Sequence, residues 1–142
     1  FVQWRGIPKF ITDLRMAAEQ MIYILGAEEL RKWRQANDQQ LKEYFLTYWQ
    51  KQDPSPETED NERLEEYFRR VAYANQNFKV LKREGWRTDR GMVYIKYGAP
   101  DEVERQPFSR GSKPYEIWYY NERRFRVVFV DETGFGDYRI AN

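Results

Sequence analysis

The chain contains no cysteine and no histidine. The first absence rules out disulfides, thiolate nucleophiles and thiolate-bound metals, and leaves the redox compartment unreadable. The second removes the Ser-His-Asp and Cys-His nucleophile systems and, with the first, the usual zinc sites. No apolar stretch approaches the length of a transmembrane helix. Charge of one sign is not in excess either. With 24 Lys and Arg against 23 Asp and Glu, the formal net charge is +1, which gives no global field to draw the protein to nucleic acid or to an anionic membrane.

What is present points to a folded domain. The mean hydropathy of -0.96 and the 33% charged residues would suit a solvated chain. The 5 Trp, 11 Tyr and 9 Phe argue the opposite, because each large ring can remove roughly 150 to 250 Å² from water. A length of 142 residues suits one domain with its own core. The first residue is Phe1 rather than Met, so the expectation is a single domain, 1–142, excised from a longer chain.

The N-terminal half carries helical spacing. Residues 1–10, with Trp4, Gly6 and Pro8, suggest an irregular lead-in whose Trp packs onto the domain. From Thr12 or Asp13 as a cap, Leu14, Ala17, Ala18, Met21, Ile22 and Leu25 recur at three and four residues, and Gly26 is placed to close that helix in the left-handed conformation. A short helix from Ala27 to about Arg34 follows, with Leu30 and Trp33 on one face. Asn37 or Asp38 caps a third, striped by Leu41, Tyr44, Phe45, Tyr48 and Trp49. Pro54 and Pro56 interrupt the helices. Asp60 or Asn61 restarts one whose buried stripe should run through Leu64, Tyr67, Phe68, Val71, Asn75, Phe78 and Leu81. That places the Asn75 amide where it needs a hydrogen-bond partner.

Beyond Gly85 the pattern alternates, and runs rich in Val, Ile, Tyr and Phe are separated by turn residues. Strands are expected at 91–97, 103–106, 115–120, 125–131 and 138–140. In the third of these, Tyr115, Ile117 and Tyr119 should face one way and Glu116, Trp118 and Tyr120 the other. The fold class is therefore α+β: N-terminal helices (about 10–84) packed on a C-terminal antiparallel β-meander of about four to five strands (about 85–142). The 106–114 loop, with Pro107, Gly111 and Pro114, is the segment expected to be most mobile.

The run Gly85-Trp86-Arg87-Thr88-Asp89, continued by Arg90-Gly91 and then by Tyr94-Ile95-Lys96-Tyr97-Gly98-Ala99-Pro100-Asp101, resembles the GWxTD domain family of bacterial proteins. Asp53-Pro54, Asn61-Glu62, Arg69 to Ala74 and Tyr115 to Tyr120 support the resemblance in the same order along the chain. The family is named for its motif and not for an activity, so the resemblance supplies no catalytic residues. It implies a bacterial protein, often exported or lipid-anchored, with this domain towards the C-terminal end of a larger envelope chain.

Read physically, the motif is a helix-to-strand corner. Gly85 lets the helix end, Trp86 folds back onto it, Thr88 and Asp89 accept local backbone N–H groups, Arg90 offers itself to a carboxylate and Gly91 frees the next strand. Gly98 and Pro100 would set a second turn. The chemical alternative is a carboxylate pair, Asp89 with Asp101, or with Glu62 or Glu102, acting as a hydrolase or lyase with or without a metal. Asp53, Glu57 and Asp60, with Glu59 and Glu62, could offer oxygens to calcium, although their spacing departs from the EF-hand loop and helix-dipole complementarity explains the same acids. Tyr115, Trp118 and Tyr120, flanked by Arg110 and Arg124 and by Lys113 and Arg123, have the make-up of a stacking surface for a glycan, a peptide or single-stranded nucleic acid.

The balance favours a non-catalytic protein-protein interaction or scaffolding module of a bacterial envelope or secreted protein. It would use an open sheet face and the 106–114 loop to meet another protein or neighbouring domains of its parent chain, with glycan as a further ligand. Neither a cofactor, nor nucleic acid, nor direct membrane insertion is expected. A carboxylate enzyme, a glycan-binding module and a structural cap ending a string of β-domains are the alternatives.

Overall fold

The computed structural model describes residues 6–58 and 60–141. The expected packing of Trp4 and the side chain of Glu59 lie outside the described residues. The chain forms two compact units, Phe1–Arg69 and Arg70–Asn142, which divide within one helix.

In the first unit the Asp13 carboxylate accepts the Met16 N–H at 3.1 Å and opens α1 (Leu14–Glu19). This helix stops well short of Leu25. Met21 and Ile22 donate to the carbonyls three residues back, at 3.1 Å each, so the chain tightens into turns after Gln20. Gly26 therefore does not close a helix. Its φ of -70° and ψ of 163° are extended, and it opens α2 (Ala27–Gln35). Asn37 and Gln40 form a reciprocal capping box at the start of α3 (Asp38–Gln52), which buries Leu41, Phe45 and Trp49.

α4 (Glu62–Asn77) begins at Asn61, a buried amide. Its Oδ1 accepts the Leu64 N–H at 3.1 Å while its Nδ2 donates to the Trp49 carbonyl at 2.7 Å, joining the start of α4 to α3. Phe45 and Phe68 lie 6.2 Å apart between ring centroids, and Trp49 and Tyr67 5.8 Å apart, which makes an aromatic core for this unit.

The second unit holds the end of α4, a tight turn bridging Val80 and Arg83, a short 3-10 turn at Gly85–Arg87, α5 (Asp89–Tyr97) and four strands. The strands are β1 (Glu102–Gln106), β2 (Tyr115–Tyr120), β3 (Phe125–Asp131) and β4 (Tyr138–Ile140), antiparallel in the order β1-β2-β3-β4. Residues 91–97, expected to be a strand, are helical. Thr88 supplies an N-cap, and Gly98 at φ 82° closes the helix in a conformation that glycine adopts without strain. Leu81 also departs from expectation. α4 ends at Asn77, before Leu81 can join its buried stripe, and Leu81 is 97% exposed.

Register sets the two faces of the sheet. Trp118 pairs with Val127 and Glu116 with Phe129, and all four are buried on one face. Phe78 packs there against Trp118, 5.4 Å between centroids, and Tyr97 of α5 against Phe125 at 4.9 Å. The expected alternation of β2 is present, with Glu116, Trp118 and Tyr120 buried and Tyr115, Ile117 and Tyr119 half-buried.

Candidate functional site

The run Gly85 to Gly91 is held by contacts that explain each residue type. A Cβ added to Gly85 would lie 1.8 Å from the Ala74 carbonyl oxygen, and one added to Gly91 would lie 1.8 Å from the Gly85 carbonyl oxygen. Both positions admit only glycine without backbone movement. Trp86 is fully buried, and its backbone N–H donates to Asn75 Oδ1 at 2.9 Å, which gives the half-buried Asn75 amide its partner. Arg87, the variable letter of the motif, is exposed with its guanidinium 4.1 Å from the Trp86 ring centroid. The Thr88 hydroxyl donates to the Gly85 carbonyl at 2.8 Å and accepts the Gly91 N–H at 3.1 Å, so one buried side chain serves both the 3-10 turn and α5.

Asp89 does not cap locally. Its Oδ2 accepts the Ile140 N–H at 2.8 Å, fastening α5 to β4. Arg90 reaches Glu116 Oε2 at 3.3 Å and the Gly136 carbonyl at 3.4 Å, with its guanidinium 4.3 Å from the Tyr138 ring centroid and 5.1 Å from that of Phe78. Glu116 is itself buried, and its other oxygen accepts the Trp118 indole N–H at 3.0 Å. Burial, with the Glu116 carboxylate adding to it, raises the Tyr138 phenol above its ordinary value. The corner is thus a turn into a helix, locked to the sheet by one carboxylate and one arginine. It is not a helix-to-strand corner.

The second glycine corner completes this unit. The Gly98 carbonyl accepts the Tyr120 hydroxyl at 2.8 Å, and a Cβ on Gly98 would come within 3.1 Å of the Arg70 guanidinium. Pro100 is half-buried. Asp101 donates its N–H to the Tyr119 carbonyl at 2.8 Å and accepts the Asn121 N–H at 2.7 Å. Asp89 is therefore the first residue of α5 and Asp101 lies past its other end, and the nine residues of that helix rise about 13 Å. They form no acid-base pair, because a helix separates them where a strand that folds back was expected. Glu102 is exposed on β1, and Glu62 is exposed in the first turn of α4.

The acidic segment is likewise accounted for locally. Asp53 Oδ1 accepts the Ser55 N–H at 2.9 Å, while Glu57 and Asp60 are exposed. Among the described residues no three carboxylates gather as metal ligands.

The anticipated stacking surface is divided by the sheet. Trp118 is 2% and Tyr120 4% exposed on the helix-covered face, whereas Tyr115 points to the other. Arg110 stands in the loop before β2 and Arg124, at φ 57°, in the hairpin after it, so the two arginines flank opposite ends of that strand.

What the sheet does present is its second face. Cross-strand register places Glu102 beside Tyr119 and Arg126, Glu104 beside Ile117, and Tyr115 beside Val130 and Arg139. Tyr115, Ile117, Tyr119 and Val130 are half-buried, and the α5 and Phe78 contacts of this unit lie on the opposite face. The result is an apolar centre with carboxylates on the β1 side and guanidinium groups on the β3 and β4 side. The Tyr119 hydroxyl donates to Glu104 Oε1 at 3.0 Å, and that bond raises its phenol above the usual range.

Sequence reasoning gives Glu116 no partner and does not single out Val130 or Arg126. Alternation in β3 is the signal available for the last two. Among the described residues no helix is long and apolar enough to cross a membrane. A family model described as the GWxTD domain matches residues 2–134. Neither a curated protein nor a solved structure matches the chain significantly.

Proposed function

The chain belongs to the GWxTD domain family, and we propose that it is a non-catalytic interaction module whose second sheet face receives another protein or a neighbouring domain of its parent chain. The observation that carries this reading is the face formed by Tyr115, Ile117, Tyr119 and Val130, half-buried and bordered by charges of opposite sign. An apolar centre with a polar rim is the usual make-up of a transient interface. Rim charges of both signs add register and orientation rather than raw affinity.

The motif supports the same reading by what it does. Asp89, the residue best placed by sequence for chemistry, uses one carboxylate oxygen to hold β4, and Asp101 uses one to hold the β2–β3 hairpin. Both act in positioning the sheet. In a bacterial envelope protein, as the family resemblance implies, such a module would set the arrangement of adjoining domains or subunits.

A photo-crosslinking residue placed at Ile117 in the full-length parent protein tests the reading in cells. Position 117 should give a discrete cross-linked product, in the same chain or a second one, that is absent when the probe is placed at the exposed Lys42. Equal, diffuse labelling from the two positions would remove the basis for assigning the sheet face as the interface.

A further inference from the structure

Leu81 and Phe135 stand out as large apolar side chains left 97% and 90% exposed. Both sit at the apex of a constrained loop. Val80 and Arg83 exchange backbone hydrogen bonds at 3.1 and 3.0 Å, which leaves Leu81 and Lys82 as the two-residue tip. Phe135 lies between Gly134 at φ 80° and Gly136 at φ 91°, backbone conformations that glycine adopts without strain. That loop is pinned from beneath by the buried Asp131, whose Oδ1 accepts the Gly134 N–H at 3.0 Å and whose Oδ2 accepts the Gly136 N–H at 2.8 Å. A buried carboxylate thus fixes the shape of a loop that displays a phenylalanine to water.

The two tips border one open cleft of about 420 Å³, with Val80, Arg83, Asp137 and Arg139 also lining it. Its charge is positive. Asp137 is offset by Arg139 at 2.9 Å, while Lys82 and Arg83 have no ion pair among the described residues. A peptide groove would need walls that enclose its occupant. Here the apolar side chains project from two separate apices with little of either covered, and cations stand beside them. That arrangement fits a soft planar phase with hydrocarbon below and phosphates at its surface.

We propose that this end of the second unit docks peripherally on an anionic lipid surface. Leu81 and Phe135 enter the boundary between headgroups and acyl chains, and Lys82 and Arg83 meet the lipid phosphates. Only the two apolar side chains enter the lipid, and no spanning segment is involved. It uses the loop tips and leaves the outer sheet face to its own partner.

The test is co-sedimentation of the full chain with vesicles of mixed phosphatidylglycerol and phosphatidylcholine, compared with phosphatidylcholine alone. Partitioning should be at least about tenfold stronger on the anionic vesicles and should weaken with added salt. The double variant Leu81→Ser, Phe135→Ser should lower it about a hundredfold with an unchanged thermal midpoint, because both side chains are exposed. Phe135→Trp should add an emission component that shifts to the blue on anionic vesicles. Equal binding to both vesicle types, or binding that survives loss of both apolar tips, overturns the proposal. So does a soluble acidic peptide containing Leu and Phe that binds the cleft while the vesicles do not.

Discussion

The two compact units bury their aromatics by different means. The first relies on ordinary helices, each started by a side-chain or glycine cap, with Phe45, Trp49, Tyr67 and Phe68 filling the space between α3 and α4. The second brings backbone against backbone at Gly85 and Gly91 and buries the charge of Glu116. Helix packing of the first kind tolerates side chains of similar volume. Close backbone approach tolerates none, which is the physical reason that a short fixed motif resides in the second unit. In this chain the two glycines are required by geometry.

The glycines give the strongest way to break this contrast. Gly85→Ala or Gly91→Ala puts a methyl group 1.8 Å from a carbonyl oxygen, so either should cost more than about 4 kcal/mol or prevent folding altogether. Gly26, in the first unit, has no atom within 4 Å of the place a methyl group would take and an ordinary φ of -70°. Gly26→Ala should therefore stay within about 1 kcal/mol, the cost of a poorer N-cap. Urea unfolding midpoints measure all three. Equal losses at Gly26 and Gly91 would show that the two units do not differ as described.

Charge sharpens the comparison at smaller scale. Glu116→Ala takes the carboxylate partner from Arg90, whose side chain is 14% exposed, and the acceptor from the Trp118 indole N–H, and should cost about 3 kcal/mol. In the first unit Arg34 pairs with Glu19 through two hydrogen bonds at 2.7 and 2.9 Å, with the guanidinium exposed and the carboxylate half-buried, and Glu19→Ala should cost no more than about 1 kcal/mol. The double variant Arg90→Met, Glu116→Leu should recover most of the loss, because replacing a buried pair by apolar groups avoids the orphaned charge. If the double variant is no better than Glu116→Ala, the damage comes from lost packing and not from an orphaned charge.

Local signals are legible in the sequence, and distant ones are not. Asp13, Asn37 and Asn61 start helices as their short polar side chains predict, and β2, β3 and β4 run where alternation places them. Residues 91–97 mislead because α5 is enclosed on much of its circumference. Gly91, Val93 and Ile95 are buried with Met92 and Tyr94 half-buried between them, a pattern that mimics a period of two. The capping threonine and the terminal glycine of α5 are in plain view, and they outrank periodicity in so short an element. Gly26 reads as a terminator because the first stripe continues through turns after the helix has ended. The Asp89–Ile140 and Arg90–Glu116 contacts join residues 51 and 26 positions apart, and no spacing rule reaches that far. Exposure of Leu81 and Phe135 is equally hidden, since apolar residues are expected inside.

Alkaline pH compares the units through one buried phenol in each. Tyr67 donates its hydroxyl to the Gln20 carbonyl in the first unit, and Tyr120 donates to the Gly98 carbonyl in the second. Burial raises both phenols above their ordinary value. Below about pH 10 the folded and unfolded chains both keep these protons, and stability is unaffected by them. Above about pH 10 the unfolded chain releases protons that the folded chain retains, so stability falls as pH rises through the raised folded values. The loss should approach about 1.4 kcal/mol per pH unit for each phenol. Tyr67→Phe and Tyr120→Phe each remove one share of that slope while adding a constant cost for the unbonded carbonyl. Urea midpoints followed across the alkaline range for the parent and both variants separate the slope from the constant. Slopes reduced alike by the two substitutions mean that burial governs both units equally, whatever else distinguishes them. A slope unchanged by Tyr120→Phe would mean that its phenol reaches water once the Gly98 corner opens, and that the second unit is rigid only at its motif.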